Sequence, residues 1–332
     1  MRALVLDGIG AAVALRDVPA KSAGPGEALV RISAAALNHR DVWIRQGKYA
    51  GLKWPIIVGS DGVGTVEAVG DGVDAAWVGR RVVIDPGTGW GDDPRAQGKD
   101  YRILGLPEDG TLAEYTKVSA TQLVACPEHL TDAEAAALPL GGLTAYRAVV
   151  TQGEVGPGAR VLVTGIGGGV ALFALQIALA RGAEVHVTSG DPRKLERARA
   201  LGAAQGASYE AADWGKALRA LAGPGYDVVV DSAGGDGFAT LVDLARPGGR
   251  IVFFGATLGN PSAIDLRRLF WKQLRLQGTT MGTAAEFRAM VALYAEKKLR
   301  PVVDRTFAFA EGEAAFQHME QGKQFGKIVL VP

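Results

Sequence analysis

The 332-residue chain has a single cysteine, Cys126. One thiol excludes an internal disulfide framework and any multi-cysteine zinc cluster. The chain also lacks a charge excess, since 36 basic and 35 acidic side chains leave a formal charge of +1. No global field therefore draws nucleic acid or an anionic membrane surface. Long hydrophobic runs are missing too: the longest, Val170 to Ala180, falls far short of the roughly 20 residues that span a bilayer. The opening Met1-Arg2-Ala3-Leu4-Val5-Leu6-Asp7 reads as a strand with a charge at each end. It has neither the apolar core nor the cleavage site of a signal peptide. A cytoplasmic protein with no membrane or nucleic-acid partner is the expectation.

What is abundant is glycine, with 46 residues, about twice the usual share of roughly 7%. The length suggests about two domains on a prior of roughly 150 residues each. Residues 1 to about 123 carry short strand-like runs broken by glycine turns, such as Glu27 to Ile32, Gly64 to Val69 and Arg81 to Ile84. That texture predicts a barrel-like or irregular β domain, interrupted by a helical piece near Arg40 to Gln46. From Thr131-Asp132-Ala133-Glu134, which has capping-box spacing, β and α patterns alternate. Strands are predicted at 160–164, 184–188, 226–231, 250–254 and 274–279. Helices are predicted at 170–181, 192–201, 238–245 and 286–297. This alternation predicts a doubly wound parallel sheet. The tail returns to short strands at 306–309 and 328–331, so the chain is expected to go back to its first domain. The expected division is 1–123 with 298–332, and 124–297.

One motif concentrates the glycines: Val161-Leu162-Val163-Thr164-Gly165-Ile166-Gly167-Gly168-Gly169-Val170-Ala171. A glycine turn joins an apolar strand to a helix, so backbone can approach a pyrophosphate resting on helix N–H groups. With the strand, the helix and the following βαβ context all present, Gly165, Gly167, Gly168, Gly169 and Val170 are assigned to a dinucleotide. An NAD protein of this kind carries an acid at the end of the second strand. Here the chain reads Thr188-Ser189-Gly190-Asp191-Pro192-Arg193-Lys194. Thr188 and Ser189 take the acid's place, Gly190 leaves room, and Arg193 and Lys194 bring charge for a 2′-phosphate. Asp191 reads as a helix N-cap with Pro192 at the first position. NADPH is therefore expected in preference to NADH.

Taken whole, the chain resembles the medium-chain dehydrogenase/reductase family, which joins a GroES-like β domain to a Rossmann domain. The resemblance rests on Leu37-Asn38-His39-Arg40-Asp41, Gly59 to Gly64, Gly70-Asp71-Gly72-Val73, Leu138 to Tyr146, Asp231 to Gly235 and Phe325 to Leu330. It implies an α/β fold of those two parts. It also implies that Thr144 and the backbones near 254–256, which include Gly255 and Ala256, and near 279–281 lie by the nicotinamide, with Ser232 also on the cofactor. His39 would face the cofactor's phosphates, Lys327 would assist, and Ser189, Gly190, Lys194 and Tyr209 would hold the adenosine phosphate.

The departures bear on chemistry. Zinc-dependent members of the resembled family place Cys at Asn38 and His then Glu at Ser60 then Asp61. Amide and hydroxyl are poor zinc ligands beside thiolate and imidazole. The distal cysteine is absent from Leu138 to Tyr146, and Gly87 to Tyr101 contains none of the four cysteines of the structural zinc lobe. No metal is expected. Without a Lewis acid a plain alcohol is hard to oxidise. A quinone or α,β-unsaturated carbonyl accepts hydride more readily, with the protein supplying orientation and hydrogen bonds. Asn38, Asp41 and Tyr49 are the candidate catalytic residues: an amide for a carbonyl oxygen, a carboxylate on the same helical face, and a proton donor. Asp41 also suits a structural pairing with Arg45 or Lys327, and Trp43 and Trp54 suit hydrophobic walls. Among the histidines, His129 reads as surface loop, His186 as structural and His318 as helix surface. Alternatives are an alcohol or aldehyde dehydrogenase with the same cofactor, and a non-catalytic nucleotide- or RNA-binding relative. The resemblance further implies a homodimer or homotetramer, with the apolar sheet end near 251–254 and 274–276 extended across a two-fold axis.

Overall fold

The computed structural model describes residues 1–332. The chain divides into two compact units, 1–143 with 282–332, and 144–281. The sequence placed these boundaries at 123/124 and 297/298, and the difference has a packing cause. The helix Asp132–Ala137 lies against the strands Glu27–Ala36 and Asp61–Val69 of the first unit. The helix Ala284–Lys297 joins the same unit, where Met290 meets Gly142 and Arg288 meets the Thr121 carbonyl. Both segments look helical in sequence, so the alternating texture grouped them with the second unit.

The first unit is built on a seven-stranded sheet. Its order is Leu123–Ala125, Arg81–Ile84, Asp61–Val69, Glu27–Ala36, Lys327–Val331 and Val303–Ala308, with Tyr115–Ser119 also paired to Glu27–Ala36. The returning tail expected from the sequence is thus the strand Lys327–Val331, hydrogen-bonded beside Ala35 and Ala36. Alternation along Glu27–Ala36 buries Ala28, Val30 and Ile32 against Leu4, Leu6 and Ile328. The short helix His39–Arg45 follows directly, its N-terminal backbone held by Asp41. Residues 86–101 are closed without cysteine. Trp90 meets Tyr101 edge-on at 5.1 Å and donates to the Asp93 carbonyl at 3.0 Å.

The second unit holds a six-stranded parallel sheet. Its order is Gln205–Ser208, Glu184–Ser189, Arg160–Val163, Tyr226–Asp231, Ala245–Phe253 and Arg275–Gly278. Val161 to Val163 and Val228 to Val230 are buried, as the covered faces of a parallel sheet demand. The helix Gly169–Ala180 is buried from Ala171 to Ala178, which explains an apolar run interrupted only by Gln176. Asp191 caps the helix Pro192–Ala200 by accepting the Arg193 N–H at 2.9 Å, as expected. Several elements escaped the sequence reading, among them Gln205–Ser208, Trp214–Ala222 and Leu266–Trp271. The first is a four-residue strand of weak β formers, fixed by parallel pairing to residues 186–189 rather than by propensity. No helix is long and apolar enough to cross a membrane.

Candidate active site and nucleotide turn

The glycine turn of the second unit opens from the strand Arg160–Val163 and closes on the helix Gly169–Ala180. Gly165 and Gly167 have φ of +63° and +122°, where side-chain-bearing residues are strained. Thr188 fixes the turn twice. Its hydroxyl accepts the Gly165 N–H at 3.1 Å and its carbonyl accepts the Ile166 N–H at 2.7 Å. Asp231 supports it from the next strand, accepting the Thr164 hydroxyl at 2.5 Å and the Gly234 N–H at 2.9 Å. Thr164, Thr188 and Asp231 are positioning residues; sequence reasoning gave Thr164 and Asp231 no role of their own and read Thr188 only as standing in the acid's place, though their position at the carboxyl ends of adjacent strands was the available signal. A β-carbon on Gly167 would stand 2.7 Å from Cδ and 3.3 Å from Nζ of Lys194. The lysine therefore lies over the turn itself. Glycines at this approach, with helix N–H groups behind them, fit a dinucleotide phosphate.

The strand end differs from expectation in two respects. Gly190 does not leave open room, because a β-carbon there would lie 3.0 Å from Glu210 Oε1 and from Tyr209 Cε2. Tyr209 is thus brought to Gly190, accompanied by an acid, Glu210, that sequence reasoning missed. Arg193 turns back on Asp191, with N–H groups 2.8 and 3.1 Å from its carboxylate oxygens. Ser189 is buried and its hydroxyl accepts the Asp191 N–H at 3.1 Å. Ser232 follows the strand Tyr226–Asp231, and Gly255 and Ala256 follow the neighbouring strand Ala245–Phe253, so that Gly255 lies close against the Ser232 carbonyl. Thr144 is buried, with its hydroxyl 4.0 Å from the Met281 sulfur.

In the first unit, Asn38, Asp61 and Lys327 close a buried ring of hydrogen bonds. Lys327 Nζ donates to Asn38 Oδ1 at 2.6 Å and to Asp61 Oδ2 at 2.8 Å. Asn38 Nδ2 donates to the same Asp61 oxygen at 2.9 Å. The other Asp61 oxygen accepts the Leu140 N–H at 2.7 Å. Exposure is 8% at Asn38, 4% at Lys327 and 0% at Asp61, so this ion pair sits almost wholly out of water. Ser60 belongs to a second cation: Arg40 donates to its hydroxyl at 2.6 Å and to the Leu104 carbonyl at 2.5 Å. The Arg40 guanidinium also stands 5.1 Å over the Tyr49 ring.

These contacts correct several assignments. Lys327 holds Asn38 and Asp61, contacts that its expected place on the cofactor did not include. Asp41 does not pair with Arg45 or Lys327. It is fully buried and accepts the Asn38 N–H at 2.8 Å and the Gly59 N–H at 3.1 Å. Burial pushes its carboxyl up, opposed by Arg40 and those two N–H groups. With both oxygens on backbone, Asp41 shapes the entry to the helix and does not face a substrate. Arg45 is taken by Glu313 at 2.9 Å. His39 is exposed, its ring 6.0 Å from that of Trp43. Trp54 packs on the core as expected. His186 is structural, bonded to the Tyr226 hydroxyl at 2.8 Å. His129 and His318 are less free than their loop and helix settings suggested: one bonds the Leu299 carbonyl and the other Asp304, each at 2.8 Å.

Residues 24–128 match the model of the alcohol dehydrogenase GroES-like domain, and residues 169–296 that of the zinc-binding dehydrogenase. The zinc-type alcohol dehydrogenase-like protein YogA of Leptosphaeria maculans is 38% identical, over 95% of this chain and 93% of that protein. The chain belongs to the medium-chain dehydrogenase/reductase superfamily. Crotonyl-CoA reductase of Streptomyces collinus is 32% identical, over 96% of this chain and 82% of that protein. The crystal structure of an NAD-dependent alcohol dehydrogenase superposes with a TM-score of 0.95 at 38% identity, each chain fully covered. This dehydrogenase/reductase is thus an oxidoreductase with the two-part α/β fold that its sequence implies.

Zinc enters through the names of these relatives, and the donors here do not fit it. A zinc site draws on thiolate, imidazole and carboxylate. Asn38 and Ser60 offer an amide oxygen and a hydroxyl, and Asp61 already accepts three hydrogen bonds. Two buried cations, Lys327 and Arg40, stand against these three residues. No group of three or more His, Cys, Asp or Glu side chains elsewhere in the chain could hold a metal.

Proposed function

We propose that the chain transfers hydride from NADPH to a quinone or an α,β-unsaturated carbonyl compound, with no zinc ion taking part. The observation that carries this reading is the Lys327 ammonium lodged between Asn38 Oδ1 and Asp61 Oδ2. A donor set so occupied suits hydrogen bonding to an activated carbonyl better than deprotonation of a plain alcohol. The likeness to a crotonyl-CoA reductase supports an enone-type acceptor. Bound NADPH would supply the hydride. The glycine turn 165–169 and Lys194 would hold its phosphates, with Ser189 and Tyr209 at the ribose end and Thr144, Ser232, Gly255 and Ala256 by the nicotinamide. Asn38 keeps one amide N–H beyond the one given to Asp61, and that N–H would meet the acceptor's oxygen as negative charge develops there.

NADPH oxidation with a panel of quinones and enones after exhaustive chelation tests this. The rate should persist without metal. A rate that appears only on adding zinc would overturn the reading. The likeness to an NAD-dependent alcohol dehydrogenase supports a second reading, oxidation of simple alcohols. Steady turnover of such alcohols with NAD⁺ or NADP⁺, and none of enones, would select it. We further infer a homodimer through the open sheet edge Arg275–Gly278, beside which Phe270 and Trp271 are 66% and 83% exposed.

A further inference from the structure

Resting on the reductase reading, we propose that Lys327 is the positioning residue of the site: its buried ammonium keeps a divalent ion out and locks the Asn38 amide in one orientation. An amide can usually be turned over with little change in its shape, because oxygen and nitrogen nearly superimpose. Here the two ends meet partners of opposite charge. The Asn38 oxygen faces the ammonium at 2.6 Å, and its nitrogen faces the Asp61 carboxylate at 2.9 Å. Turning the amide over would set oxygen against carboxylate and N–H against ammonium. Both contacts would become repulsive in a setting where Asp61 is 0% and Lys327 4% exposed.

The direction of the second Asn38 N–H is therefore fixed before any acceptor arrives. The Lys327 bond also draws density from the amide oxygen, which makes the remaining N–H a better donor. The Leu140 N–H holds the far oxygen of Asp61 at 2.7 Å, so the carboxylate is anchored from outside the ring. Lys327 thus supplies through a neighbour the polarising charge that a metal ion supplies directly. A divalent ion entering beside Asn38 and Asp61 would meet the ammonium already bonded to both.

Three variants test this: Lys327→Met, Asn38→Ala, and Asp61→Asn with Lys327→Met. The last removes both buried charges and guards against simple failure to fold. Each should lower kcat on acceptors by about 100-fold, the scale of losing one preorganised donor. The loss should grow as the acceptor becomes less electrophilic. Combining Asn38→Ala with Lys327→Met should cost no more than either alone, because the two act as a unit. The dissociation constant for NADPH should stay within about threefold, on the scale where tenfold is 1.4 kcal/mol. If Lys327→Met weakens NADPH binding and spares kcat at saturating cofactor, Lys327 is a phosphate residue and the proposal is wrong. A loss of equal size on every acceptor would also overturn it, as general damage. Zinc titration of the wild-type protein gives a reading apart from activity. No stoichiometric binding is expected, and one tightly held zinc per chain would refute the exclusion. An enzyme inert to every acceptor would remove the reductase reading alone, with the zinc titration still deciding whether the ammonium excludes metal.

Discussion

Lys194→Ala examines the nucleotide assignment most closely, because the side chain lies where two roles meet. A β-carbon on Gly167 would touch its Cδ at 2.7 Å and its Nζ at 3.3 Å, so the stem crosses the glycine turn. The neighbouring Arg193 is turned onto Asp191 at 2.8 Å, and Glu210 stands at Gly190. On the proposed reading, Lys194 would be the cation that favours a 2′-phosphate beside that acid. A charge-assisted hydrogen bond of this kind contributes about 1.5–3 kcal/mol. Its removal should weaken NADPH binding by about 10- to 100-fold and change NADH binding by less than about threefold. Calorimetric titration of both cofactors at one fixed ionic strength reads this directly. Equal weakening of the two would place the ammonium on the shared pyrophosphate and refute the argument for NADPH. Gly167→Ala provides the control. Its φ of +122° costs a residue with a side chain roughly 1–3 kcal/mol, and the new methyl pushes on Lys194. Both cofactors should suffer, since the close backbone approach serves the pyrophosphate common to them.

Three other outcomes follow from local environments. Burial pushes the Asp85 carboxyl from 3.8 up to about 7, against the opposing Gly87 N–H and Arg288. The folded chain then holds a proton that the unfolded chain has released, so this stability is full below about pH 4 and is lost as pH rises through about 7. The span corresponds to at most about 4 kcal/mol. Asp85→Asn should flatten the denaturant-derived stability curve between about pH 5 and 8; an unchanged slope would contradict the burial argument. Burial likewise pushes the Cys126 thiol up to about 11, so alkylation at pH 8 should be far slower than for a free thiol. Fast labelling of the folded protein, followed by mass spectrometry, would disprove it. Trp271→Glu places a charge in the exposed aromatic pair and should shift light-scattering mass toward the monomer, whereas an unaltered mass would remove that patch from the interface.

The fold was legible because its signals are local and periodic. Val161-Leu162-Val163 and Val228-Val229-Val230 can only be covered strands, and the turn at 165–169 names its own connection. The strand Gln205–Ser208 was not legible, since its pairing energy comes from the adjacent strand Glu184–Ser189 and not from its own residues. The compact units divide elsewhere than the sequence texture does for a related reason. The helices Asp132–Ala137 and Ala284–Lys297 carry the same α signature whichever unit they cover. Helical pattern says that an apolar face exists, but not which sheet receives it.

The candidate site shows the same limit at the level of chemistry. Asn38, Ser60 and Asp61 could be compared with a metal-ligand pattern from sequence alone, because that comparison is position by position. What replaces the metal's charge could not, since Lys327 lies 266 residues beyond Asp61 and reaches it only through the returning strand. The sequence offered Lys327 to the cofactor or to Asp41, and only the register, which seats Val329 opposite Ala36, two residues before Asn38, brings it to Asp61. The fixed pairing then turns an unremarkable side chain into the cation that sets a buried amide. An isolated carboxylate at Asp61 would be costly to bury, and an isolated ammonium at Lys327 equally so. Each makes the other tolerable, and the neutral amide between them takes its orientation from both. The chemistry of this site therefore depends on the closure of the sheet, and it should fail with any substitution that slips the strand Lys327–Val331 by one residue, since a one-residue slip turns Lys327 to the opposite face.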